Sequence, residues 1–163
     1  FTGIAYTYLG IFYVALPFSL LNFAVFSVDS VYHYEILVGC LLILWASDTG
    51  AYFAGTRFGK TKLFERISPK KSWEGFLGGA FLAIVVAFVL SQYFVVLEDW
   101  KWLVIAGIII IAGTYGDLIE SLFKRSIEIK DSGSVLPGHG GFMDRFDGLL
   151  LSAPFITAFL KIC

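Results

Sequence analysis

Long uncharged apolar stretches alternate along the chain with short polar clusters. Residues 1–28 carry no charge, and residues 75–97 carry none in 23 consecutive positions. Segments 36–56, 102–123 and 142–162 are of similar length, each with acids near one end: Asp48, then Asp117 and Glu120, then Asp144 and Asp147. About 20 apolar residues cross a bilayer core as a helix. The pattern therefore predicts an all-α, polytopic integral membrane bundle of five transmembrane helices. Pro17 is expected to kink the first. The pairs Ala51/Gly55, Gly75/Gly79 and Ala112/Gly116 have the small-residue spacing that lets helices approach closely.

Composition sharpens this picture. Hydrophobic residues make up 58% of the chain and charged residues 15%, with a mean hydropathy of +0.80. Soluble domains have roughly 45–50% and 25%, which argues against a water-soluble globular domain. The 17 Phe, 8 Tyr and 4 Trp exclude disorder. Two cysteines, Cys40 in an apolar run and Cys163 at the last position, exclude a disulfide scaffold.

The net charge of −1 is uninformative, but its distribution is not. Residues 57–71 hold six Lys or Arg and residues 124–145 hold four, whereas the connections near 29–35 and 98–101 hold only Lys101. With five spans both basic connections fall on one side, which the enrichment of Lys and Arg in cytoplasmic loops makes the cytoplasm. The chain opens at Phe1 directly into an apolar helix, without the basic region of a signal peptide. It is expected to be one transmembrane domain, 1–163, from the carboxy-terminal part of a longer polytopic protein.

Ionisable groups inside a membrane mark a pathway or a site. Counted from Glu35 and Trp102 at about 1.5 Å per residue, Asp48 and Asp117 both lie roughly 20 Å from the outer surface, in the cytoplasmic third of the core. Asp117, Glu120, Ser121 and Lys124 share one helical face by their i, i+3, i+4, i+7 spacing. Asp144 and Asp147 open the last helix, where negative charge is favoured. Such acids can pair with neighbouring bases and merely hold a bundle together. Three helices offering acids at one depth point instead to a shared polar site.

Carboxylates without clustered His or Cys are hard oxygen ligands that suit Mg²⁺, which fills its remaining positions with water and phosphate oxygens. Ser68, Lys70, Lys71 and Ser72 stand just before a helix amino end, a favourable place for anionic oxygens. Lys124, Arg125, Lys130 and Arg145 add donors, and the turn Gly138-His139-Gly140-Gly141 adds backbone that a phosphate can approach. Attraction of anionic lipid headgroups accounts for the bases, but not for the acids interleaved with them. His139 is either a substrate contact or a residue bonding its own loop. His33 and the four tryptophans read as interfacial or packing residues.

The 27 residues from Ser121 to Asp147, SLFKRSIEIKDSGSVLPGHGGFMDRFD, resemble the signature of the phosphatidate cytidylyltransferases, also called CDP-diacylglycerol synthases. Trp45–Tyr52 (WASDTGAY), Ser68–Gly75 (SPKKSWEG) and Gly116–Ser121 (GDLIES) resemble the same family. The likeness covers roughly residues 40–160. It implies transfer of CMP from CTP to the phosphate of phosphatidate at the cytoplasmic face of a bacterial inner membrane. It further implies Mg²⁺, with a second cation such as K⁺, held by Asp117 and Asp144 with Asp147 and Glu120 around them. Asp48 would help shape that shell; Ser68, Lys70, Lys71, Ser121, Lys124, Arg125, Lys130 and Arg145 would hold phosphates, with His139, Gly140 and Gly141 over the nucleotide. The expected partners are CTP, phosphatidate, the bilayer and a second copy of the chain, with no nucleic acid.

Three other readings compete. A CTP-dependent kinase of polyprenol or another lipid alcohol would share the nucleotide but should not fill the signature. An ion or proton transporter would spread its acids across the full depth, whereas here they cluster on one side. A purely structural subunit would leave the polar stretch between the last two helices without a purpose.

Overall fold

In the computed structural model, residues 2–26, 31–65, 67–126, 128–129 and 146–163 are described, with backbone only at Thr2, Ala5 and Tyr6. They form five rods. The first is α1 (Thr2–Gly10), a π turn (Ile11–Ala15) and α2 (Leu16–Val25). The second is α3 (Tyr34–Phe58), and the third is α4 (Trp73–Tyr93). The fourth is α5 (Asp99–Ile108), a π turn (Ile109–Gly113) and α6 (Thr114–Ser126); the fifth is α7 (Asp147–Ile162). Four stretches are long and apolar enough to cross a membrane: Thr7–Val25, Tyr34–Phe58, Trp73–Tyr93 and Asp99–Ser126. The described part of α7 is shorter, 16 residues.

The expected all-α polytopic bundle is thus what the chain forms, with two local differences. Pro17 sits in the first turn of α2 just after a π turn, where a missing N–H is tolerated because the regular ladder is already interrupted. The basic stretch after α3, expected to be a loop, contains an antiparallel hairpin of β1 (Lys62–Phe64) and β2 (Ser68–Ser72).

Small residues set the helix spacing, since packing rather than burial from water drives association in a bilayer. A Cβ on Gly79 would stand 2.6 Å from the Ser47 carbonyl oxygen, and one on Gly116 would stand 2.6 Å from that of Asp147. α3 therefore lies backbone to backbone with α4, and α6 with α7. Gly39 makes room for the Trp102 ring, which is fully buried and whose indole N–H donates to the Phe94 carbonyl at 3.3 Å. Around Trp102 the core gathers Cys40 and Ile43 of α3, Ala83 and Ala87 of α4, Ile105 of α5, and Ala153 and Ile156 of α7. The outer faces carry exposed Phe81, Phe88, Ile111 and Phe155, an apolar surface suited to lipid.

The first rod is fastened to the last. The Thr157 hydroxyl donates to the Leu20 carbonyl at 3.0 Å, the Lys161 ammonium donates to the Phe26 carbonyl at 2.6 Å, and the rings of Phe18 and Phe146 meet edge to face at 6.0 Å.

Candidate functional site

Where α3 ends and α4 begins, the chain must turn while feeding two lysines toward the bundle. The Ser72 hydroxyl accepts a hydrogen bond from the Gly75 N–H at 3.1 Å, capping α4. The Glu74 carboxylate reaches back to the N–H groups of Lys60 (3.1 Å) and Thr61 (3.1 Å), and the Trp73 N–H donates to the Thr61 carbonyl at 3.0 Å. The hairpin is thereby tied to the first turn of α4. β2 runs along the bundle end with Lys70 exposed and Lys71 turned inward.

Facing the hairpin, α6 presents the acids. The Lys71 ammonium forms an ion pair with Asp117, and the Ser121 hydroxyl donates to the other Asp117 oxygen at 3.3 Å. One turn on, Glu120 is buried and paired with Lys124 at 3.6 Å. The shared face expected for Asp117, Glu120, Ser121 and Lys124 is present. At the start of α7, the Asp147 carboxylate accepts from the Gly148 N–H at 2.6 Å and lies beside Glu120, with Asp117 close enough to act on it by charge.

These elements enclose a cavity of about 440 Å³. Of the residues singled out from sequence, Asp48, Ser68, Lys70, Lys71, Asp117, Lys124 and Asp147 line it. Ser121 and Glu120 stand behind Asp117 and Asp147, joined to the wall by the contacts above. Arg125 is exposed and does not line the cavity. Lys130, His139, Gly140, Gly141, Asp144 and Arg145 lie outside the described residues. Among the described residues, no three His, Cys, Asp or Glu side chains stand close enough to enclose a metal unaided.

Sequence reasoning missed two features. The π turn Ile109–Gly113 directly precedes the acid-bearing helix and lines the cavity through Ile109 and Gly113; such turns are frequent at functional sites. Tyr13 lies in the π turn of the first rod and is half-buried. Its oxygen and Glu120 Oε2 are both buried without a hydrogen-bond partner among the described residues. No charge or motif in residues 1–28 marks that tyrosine.

The cavity can hold an anionic ligand on Lys70, Lys71 and Lys124 while offering carboxylate oxygens to a cation. Its walls are apolar helices on one side and a basic hairpin on the other.

A model of the cytidylyltransferase family matches residues 1–163. The chain is 41% identical over 152 residues to a phosphatidate cytidylyltransferase of Staphylococcus epidermidis, which covers 88% of this chain and 58% of the relative. It is 42% identical over 132 residues to that of Haemophilus influenzae, covering 76% and 45%, and 39% identical over 152 residues to that of Staphylococcus aureus, covering 88% and 58%. The chain thus spans about half the length of these curated relatives.

Proposed function

The chain belongs to the cytidylyltransferase family, and on that premise we propose that it carries the catalytic part of an enzyme transferring CMP from CTP to phosphatidate. The products would be CDP-diacylglycerol and pyrophosphate. The observation that carries this reading is the common space in which Lys70, Lys71 and Lys124 face Asp48, Asp117 and Asp147 at the end of an apolar bundle. The names of the relatives supply the substrates.

A phosphate oxygen of phosphatidate attacks the α-phosphorus of CTP. The new oxygen–phosphorus bond forms as the α–β phosphoanhydride breaks, and pyrophosphate leaves. Such transfers depend mainly on positioning and charge neutralisation. A phosphate monoester is already anionic near neutral pH, so no strong base is required. Lys70 and Lys71 of β2, with Ser68, hold triphosphate oxygens; Lys124, Lys130 and Arg145 serve the remaining phosphates, with His139, Gly140 and Gly141 over the nucleotide.

The donor set fits Mg²⁺. Asp117 and Asp147 are hard oxygen donors on the cavity wall, and Glu120 Oε2 is buried without a hydrogen-bond partner among the described residues. Mg²⁺ commonly takes only one or two protein carboxylates, leaving positions for water and phosphate. Asp117 and Asp144 would hold it, with Asp147, Glu120 and Asp48 orienting that shell; the same acids have charge enough to take a second cation such as K⁺. When bound, Mg²⁺ supplies charge neutralisation at the phosphates. Lys71 is the neighbouring base that balances Asp117 from the hairpin side. We place the chain in a bacterial inner membrane with the cavity open to the cytoplasm, where the two basic connections lie; pairing with a second copy belongs to the same reading.

The test is made in detergent or liposomes with labelled CTP, phosphatidate and Mg²⁺, following pyrophosphate and lipid-soluble cytidine, with Asp144→Asn beside the wild type. Cytidine entering lipid only with wild type and metal supports the proposal. Phosphorylation of a lipid alcohol without cytidine transfer replaces it with the kinase reading, and neither reaction in a folded protein removes both.

A further inference from the structure

Tyr52 of α3 forms part of the cavity wall, yet it is 67% exposed. The phase of the helix explains how both hold, since successive residues advance by about 100°. Measured from Asp48, the cavity-lining Leu44, Ser47, Ala51 and Gly55 fall within about 100° on one side, and Tyr52 falls about 40° to the other. Continuing past Tyr52 come Trp45 at about 60°, Val38 at about 80°, Leu42 at about 120° and Phe53 at about 140°. All four are exposed and apolar, and none lines the cavity. Beyond the lining on the opposite side, Ile36 and Ile43 are buried. The cavity wall is thus closed by the core along one edge of α3, whereas along the other it passes directly into the apolar outer surface, and Tyr52 is the residue at which it does so.

The level of Tyr52 along the helix suits the same role. α3 has 25 residues, about 37 Å at 1.5 Å per residue, against a hydrocarbon core about 30 Å thick. Tyr52 stands about 9 Å before the end of α3 at Phe58, where headgroups give way to acyl chains. A tyrosine, with an apolar ring and a polar tip, fits that boundary. We infer that Tyr52 is a specificity-determining residue for the lipid acceptor, its ring lying against the glycerol and first acyl carbons of a phosphatidate whose phosphate is inside the cavity. It serves the lipid and not the nucleotide. Phe53, next in sequence and 65% exposed, touches only the surrounding bilayer. This inference rests on the proposed cytidine transfer to phosphatidate.

The experiment measures initial rates in mixed detergent micelles, varying the mole fraction of dioleoyl phosphatidate at saturating CTP and then CTP at saturating phosphatidate. Tyr52→Ala should raise KM for phosphatidate about tenfold and leave KM for CTP and the melting temperature unchanged, since the side chain is mostly exposed. Phe53→Ala should leave both KM values at the wild-type level. An unchanged KM for phosphatidate in Tyr52→Ala overturns the inference and leaves the proposed function standing. So does an equal rise in Phe53→Ala, which marks a general anchoring of the helix in the bilayer, and so does a rise confined to CTP, which gives the residue to the nucleotide. A wild type that transfers no cytidine overturns both readings. If Tyr52→Ala does not fold, phosphatidate carrying a diazirine near the acyl carbonyl asks the same question of the wild type. On irradiation the label should enter the α3 peptide at Tyr52, in competition with unlabelled phosphatidate; labelling of Phe53 alone, or labelling without competition, overturns the inference.

Discussion

Lys71 of β2 is ion-paired with Asp117 of α6, so the connection between the second and third rods is joined to the inner face of the fourth. The pair is partly open to the cavity, with side-chain exposures of 25% and 39%. An ion pair so exposed contributes less than about 1 kcal/mol to stability, whereas a lysine hydrogen bond to a phosphate is worth about 1.5–3 kcal/mol. Lys71→Met should therefore lower kcat/KM for CTP by about 10- to 100-fold and leave the melting temperature nearly unchanged. Steady-state kinetics beside a thermal melt checks this.

Gly116 tests the coupling between packing and site. Its substitution by Ala would place a methyl 2.6 Å from the Asp147 carbonyl oxygen, forcing α7 away from α6. Overpacking of this kind costs about 1–3 kcal/mol, and Gly116→Ala should lose both stability and activity. Gly107, on the same rod, has open space around it, with nothing within 4 Å of where a methyl would stand. Gly107→Ala should be neutral or stabilising by up to about 1 kcal/mol. Thermal melts of the two variants should separate them.

Removal of metal should abolish cytidine transfer to lipid, and Mg²⁺ should restore it. Asp117→Asn should shift the Mg²⁺ dependence of the rate to higher concentration, since a neutral amide is a poorer ligand for a hard cation. A Mg²⁺ titration of each variant is the measurement.

Sidedness can be read with the cysteines. Cys163 is exposed and Cys40 is fully buried, so a membrane-impermeant maleimide added to intact cells should label only Cys163. With Cys163 replaced by Ser, Lys62→Cys in the hairpin should label only after the membrane is opened. Gel-shift counting of labelled thiols gives the answer.

Much of this arrangement was legible in the sequence because charge is so costly in lipid that its absence marks the rods and its placement marks their ends. The face shared by Asp117, Glu120, Ser121 and Lys124 followed from helical spacing alone, and the small-residue pairs marked where helices come close, while which helices meet there, α3 with α4 and α6 with α7, came only from the structure. The hairpin was not legible. β1 and β2 carry little apolar alternation, and β2 contains Pro69; what holds them is Glu74, a carboxylate thirteen or fourteen residues from the N–H groups it binds. The π turns left no trace because both lie in uniformly apolar or small sequence.

The π turn at Ile109–Gly113 sets the angular phase of everything after it. It accommodates a residue more than a regular turn would, and each residue advances an α-helix by about 100°. The half of the rod before it is indexed to the core through Trp102 and Ile105, and the half after it to the cavity through Asp117. Deleting one residue within the turn would keep the rod's apolar character, yet swing Asp117, Ser121 and Lys124 together by about 100° away from the hairpin. Reading frame along a single helix, rather than the identity of any one side chain, thus decides whether the acids and the lysines meet.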